Sequence, residues 1–147
     1  MMKKFSFALE KVLRFKEQTL DVKNQEMVKL QARLKEFEAQ IFDCNNRFIE
    51  TDQKMMMEMA QGLGPLDVAA YKTYLHEISL RTKRILKQKA ELEAFIEQRM
   101  TTILELKTDI SGLNNLKDKK LAEYFKLDQK EQELLVEEFV NQSKYSA

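Results

Sequence analysis

The chain is 147 residues long, with 25 basic and 24 acidic side chains and a formal net charge of +1. It has only three glycines and one proline, lacks tryptophan, and draws roughly half its residues from Ala, Glu, Lys, Leu and Arg, as long helices and coiled coils do. So few turn formers exclude an all-β or α/β fold, and the charge balance excludes an overall pull toward nucleic acid or an anionic membrane.

The N-terminal "MMKKFSFALEKV" opens like a signal peptide, but its apolar run stops after Leu9 at Glu10 and Lys11, short of an h-region. No apolar run approaches bilayer length. A single cysteine, Cys44, leaves no intramolecular disulfide and fits a reducing compartment. The expected location is cytosolic.

A first helix is predicted over residues 5–60. Steps of seven from Leu13 reach Leu20, Met27, Leu34, Ile41, Phe48 and Met55, all apolar. The companion edge, Lys16, Lys23, Leu30, Phe37, Cys44 and Thr51, is apolar only in its middle. This is a helical stripe of coiled-coil period.

Residues 61–65 are predicted as a turn. In "QGLGPLDV" the backbone breakers cluster: Gly62 can take the left-handed conformation that closes a helix, and Pro65 can begin the next, with Asp67 in its first turn. A break this short folds the helices back antiparallel. The alternative, a hinge in an extended rod, leaves both stripes bare.

A second helix is predicted over 66–141, with a frayed tail at 142–147. Steps of seven from Tyr71 give Ile78, Ile85, Leu92, Arg99, Leu106, Leu113, Lys120, Leu127 and Leu134; Leu75, Ile96, Ile103, Ile110 and Tyr124 share the next edge. The register runs through Leu106, Leu113 and Leu127 without a skip, so Gly112 is read as part of one continuous helix rather than as a second break making three helices. Pairs at i,i+4, Glu10 with Arg14, Glu50 with Lys54 and Glu77 with Arg81, add a few tenths of a kcal/mol each.

The expected fold is all-α: a long two-helix antiparallel coiled-coil hairpin forming one domain, the second helix longer than the first. The arms measure roughly 84 and 114 Å. Folding about the turn sets Phe5 opposite Ala122. Beyond it lies an overhang, "EYFKLDQKEQELLVEEF", carrying Tyr124, Phe125, Leu127, Leu134, Leu135 and Phe139. An apolar overhang suggests a docking surface. Arg99 and Lys120 in the seam leave pairing with a second chain open.

Chemistry that an enzyme needs is missing. Cys44 and His76 are the only cysteine and histidine. Cys44 lies on the seam, facing about residue 83 on the partner arm and so a turn or two from His76. Three glycines supply no phosphate loop, no Cys/His cluster supports zinc, and the carboxylates have no calcium loop. No enzymatic activity, metal or cofactor is expected. "MMMEM", Met55 to Met59, could form an adaptable binding surface; the blander reading is a good helix former beside a turn. "RTKRILKQK", Arg81 to Lys89, could bind nucleic acid, but Glu77, Glu91 and Glu93 lie at i,i+4 from Arg81, Lys87 and Lys89, which favours a solvated face.

The two ends carry a resemblance. "FSFALEKVLRFKEQ" is similar to the start of flagellar FliJ proteins: F-x-F-x-L, a Val-Leu or Leu-Leu pair, then Lys-Glu. "LNNLKDKKLAEYFKLDQKEQELLVEEF" resembles their C-terminal portion, and length and central break also match. The resemblance implies a cytoplasmic component of the flagellar type III export apparatus, shaped like the stalk of a rotary ATPase. Its expected partners are the hexameric export ATPase, whose central hole it enters and whose assembly it promotes, the export-gate membrane protein, and export chaperones. No nucleic-acid partner and no direct membrane insertion are expected; the chain would sit peripherally at the cytoplasmic face through the apparatus.

Carried to this chain, the resemblance implies an ATPase-facing group, Phe5, Phe7, Phe125, Leu127, Leu134 and Phe139, and a gate-facing group, Tyr71, Tyr74, Ile78, Ile41 and Phe48. Further on, where relatives place an alanine or a histidine, this chain has Arg81 and Ile85. Seam packing is the competing role for Ile41, Phe48 and Ile78. Competing functions are a stalk of a virulence-type secretion ATPase or of a rotary ATPase, the latter usually carrying an added domain, and a basic coiled coil that binds nucleic acid.

Overall fold

The structure, a computed structural model, describes residues 3–145. Two helices account for nearly all of them: α1, Glu10–Ala60, and the longer α2, Pro65–Tyr145, packed against each other. No strand occurs among the described residues.

The helix boundaries differ from expectation at both ends. α1 begins at Glu10, not residue 5: residues 3–7 are irregular and 8–9 form a turn. The arm instead buries Phe7 and sets the Phe5 ring on Tyr124. The Phe7 carbonyl accepts the Glu10 amide at 3.1 Å, capping the helix start. At the other end α2 continues through residues 142–145, where fraying was expected; residues 146 and 147 lie outside the described residues.

The connection spans residues 61–64. α1 tightens as it ends, the Gln61 and Gly62 amides donating to the Glu58 and Met59 carbonyls. Gly62 then takes φ 101°, the left-handed region. The Gly64 carbonyl accepts the Val68 amide, which makes Pro65 the first helical residue, where its missing N–H costs nothing.

The chain divides into two compact units, one of Met1–Val22 with Ile103–Ala147, the other Lys23–Thr102. In the second, the core is Phe37, Cys44, Ile78 and Ile85, with Ile41 and Leu92 packed on it. Arg99, half-buried at its seam position there, stacks its guanidinium 4.9 Å from the Phe95 ring centroid.

In the first unit Leu13 and Ile103 are the most buried, each 2 % exposed. Lys16, the polar break in the α1 stripe, is answered across the interface by Asp109 at 2.7 Å, and Glu10 by Lys117 at 2.9 Å. Here one seven-residue edge of α2 continues as the sequence suggests, through Ile103, Ile110, Lys117, Tyr124 and Glu131, while the edge through Leu106 and Leu113 does not. After Leu113 the shielded positions are Leu116, Lys117, Leu121, Tyr124, Asp128 and Glu131, while Lys120, Leu127 and Leu134 are exposed. The second edge thus moves by one position, from Leu113 to Leu121 and Asp128, while the first keeps its steps of seven. Gly112 lies within α2, without a break.

Of the three expected i,i+4 pairs only Arg14 with Glu10 forms, at 3.4 Å. Glu50 with Lys54 and Glu77 with Arg81 do not pair.

Candidate docking surfaces

The first surface belongs to the unit containing both chain ends. Phe5 meets Tyr124 edge-on, centroids 5.6 Å apart, and Tyr124 in turn meets Phe125 at 5.8 Å. Phe5, Phe7, Leu9, Leu116, Tyr124 and Leu127 line an apolar pocket of about 360 Å³. In the same unit Glu10 pairs with Lys117. The Lys117 ammonium, with a smaller part from Arg14, holds the Glu10 carboxyl below its ordinary value, against the opposing effect of desolvation.

Beyond this pocket α2 presents apolar side chains to solvent. Phe125 is 59 % exposed and Phe139 70 %, and Leu134 is similarly open. Of the six residues expected to face an ATPase, Phe5, Phe7 and Leu127 gather at the pocket; Phe125, Leu134 and Phe139 lie along the helix surface. Phe7 is buried, so its part is packing. The exposed residues form two stripes. Phe125 and Leu127 are two positions apart, which turns them roughly 200° around the helix; Leu134 follows Leu127 and Phe139 follows Phe125. Val136 and Val140, exposed on the Phe139 side, were not singled out from the sequence. The periodicity of the apolar residues after Lys130 could have found them.

The second surface lies in the unit Lys23–Thr102. Tyr71 is half-buried and its hydroxyl donates to Glu58 Oε2 at 2.6 Å. That hydrogen bond, then desolvation and the negative charges of Glu58 and Asp67, pushes the Tyr71 hydroxyl above its ordinary value of 10.0. Tyr71 and Tyr74 line an open cleft of about 590 Å³ with Thr51, Glu58 and Leu63. Tyr74 and Phe48 are partly exposed. Ile78, by contrast, is in the core and Ile41 packs on it, the seam role that competed with docking for these two. The five expected gate-facing residues thus separate into a reachable set, Tyr71, Tyr74 and Phe48, and a packed pair.

Set beside known proteins, the chain matches no family model, no curated protein and no solved structure.

Cys44 is a buried member of the core, and His76 is exposed. Among the described residues no group of three or more His, Cys, Asp or Glu side chains could hold a metal ion. No helix among them is long and apolar enough to cross a membrane. Met56, Met57 and Met59 are exposed beside the turn, whereas Met55 is buried in the seam.

Proposed function

We propose that the chain is a non-enzymatic component of the flagellar type III protein export apparatus, acting as an antiparallel coiled-coil hairpin. It binds the central hole of the hexameric export ATPase, promotes ring assembly and couples the ring to the export gate, lying peripherally at the cytoplasmic face of the membrane. The reversed order of partners supports the hairpin: Glu10 pairs with Lys117 and Lys16 with Asp109 in one unit, and Glu38 with Lys89 and Glu58 with Tyr71 in the other. The observation that carries the function is the run of exposed apolar residues on α2 beyond the Phe5–Tyr124 contact, together with the resemblance of the chain ends to FliJ proteins. A helix that offers Phe125, Leu127, Leu134 and Phe139 to solvent gains most by entering a lined hole.

The test is ATP hydrolysis by a flagellar export ATPase with and without the full chain. Stimulation together with ring formation is the expected result. It should disappear when Phe125, Leu134 and Phe139 are replaced by Ser, with helicity retained. A chain that leaves both hydrolysis and ring formation unchanged does not have this function.

A further inference from the structure

Of the thirteen cationic side chains in the unit Lys23–Thr102, only Lys23, Arg33 and Lys89 pair with a carboxylate among the described residues; five of the other ten line two grooves that share Arg84. Arg47 on α1 and Arg81, Lys83, Arg84 and Lys87 on α2 make no hydrogen bond or ion pair among the described residues. Lys89, by contrast, lies 4.0 Å from Glu38 and 3.6 Å from Glu93, and Arg33 lies 3.0 Å from Glu36. The sequence offers Glu77 to Arg81 and Glu91 to Lys87 at i,i+4, but neither pair forms.

Three of the five converge. Arg47, Arg81 and Arg84 line one groove of about 310 Å³ between α1 and α2. Its floor is Cys44 and Ile78, both members of the packed core, so the backbone that carries the arginines is fixed. Tyr74 and Glu77 complete the walls. Three guanidiniums and one carboxylate leave the groove with an excess of two positive charges. Like charges brought together from two helices repel, and the Glu77 carboxylate offsets only one of the three.

We propose that this groove binds a phosphate-bearing anion carrying two or more negative charges. The guanidinium fork matches phosphate oxygens in pairs and stays charged at every physiological pH. A lone carboxylate would neutralise only half the excess. A compact phosphate group between the three arginines neutralises it, with the Tyr74 hydroxyl as a further donor. The same chemistry is presented by free pyrophosphate and by a phosphomonoester lipid headgroup. The groove favours either over a nucleic acid, whose extended backbone would track the open stripe of Lys83 and Lys87 instead. This inference does not depend on the export reading.

The experiment is calorimetric titration of the full chain with inorganic pyrophosphate, and sedimentation with vesicles with and without phosphatidic acid. The variants are Arg47→Gln and Arg81→Gln, with Arg33→Gln as the control from an already paired arginine. Binding weakened about tenfold or more by either groove variant and untouched by Arg33→Gln is the expected result. If that pattern appears with pyrophosphate, the ligand is free; if it appears only with phosphatidic acid, the phosphate is a headgroup.

No binding in either arm overturns the proposal. So does binding that a Lys83→Gln, Lys87→Gln double variant weakens as much as the arginine variants do, or that an oligonucleotide reproduces with that same dependence, since both mark a diffuse cationic stripe. Thermal unfolding without ligand gives a separate check. Removing an unpaired like charge should leave the midpoint unchanged or raise it. A fall would show the arginines serving the fold and would also overturn the proposal.

Discussion

At Gly62 the backbone stands at φ 101°, and a Cβ built there would meet nothing within 4 Å. The requirement for glycine is therefore conformational alone, and Gly62→Ala is expected to cost about 1–2 kcal/mol, the price of a left-handed L-residue. Gly112 has equally open space but sits inside α2 with no positive φ. There Gly112→Ala should stabilise by up to about 1 kcal/mol through helix propensity. Urea midpoints moving in opposite directions for the two substitutions would bear this out; a fall at both would mean that Gly112 is needed for local bending. Tyr71 offers a pH-dependent reading at the same scale. Its folded pKa is raised, so the stabilisation from the Glu58 hydrogen bond is complete below the ordinary value of 10.0 and is lost as pH rises through the folded value. An absorbance titration of the four tyrosines should show one ionising late, gone in Tyr71→Phe and moved back toward the ordinary range in Glu58→Gln.

Along the elements, the stretch of α2 after Gly112 separates what period alone can say from what a partner decides. Leu113, Leu116, Leu121, Leu127 and Leu134 allow two continuations of the stripe, one through Lys120 and Leu127, the other through Leu121 and Tyr124. Counting in sevens from Tyr71 selects the first, while counting in sevens from Leu75 reaches Tyr124. The fold takes the second, because the irregular arm delivers Phe5 to Tyr124 and Lys117 reaches Glu10. Neither contact is visible from the helix's own periodicity. Leu121→Glu should therefore destabilise by about 1–2 kcal/mol, and Leu127→Glu should stay within about 0.5 kcal/mol. The reverse order of effects would restore the edge through Leu113, Lys120 and Leu127. The turn was legible for the opposite reason: Gly62, Gly64 and Pro65 act through their own backbones, and a local cause leaves a local trace. Cys44 and Phe37 were legible as seam residues because they fall on an apolar edge of fixed period. The three-arginine groove was not. It needs Arg47 brought beside Arg81 and Arg84 from the other helix, and the sequence shows only a basic run that nearby glutamates would neutralise.

For the molecule as a whole, the two candidate surfaces fall in different compact units, so they can be disabled separately. Phe125 and Phe139 are exposed and distant from the Leu13 and Ile103 packing of their unit; Tyr74 is partly exposed, and Tyr71 is tied to the fold chiefly through Glu58. Serine at Phe125 and Phe139 removes apolar surface that already faces water, and should leave the unfolding midpoint nearly unchanged. If the export reading is right, that variant loses stimulation of the ATPase while retaining the gate protein in a pull-down. Tyr71→Ala with Tyr74→Ala should do the reverse, with a modest loss of stability from the broken Glu58 hydrogen bond. Ile78→Ala cannot be used for this purpose. It empties part of the core formed with Phe37, Cys44 and Ile85, costs about 2–5 kcal/mol, and would weaken both functions together through unfolding. The informative result is thus a crossed pattern, each surface variant losing one partner and keeping the other. If both variants lost both partners with their midpoints intact, two independent docking surfaces would be the wrong description.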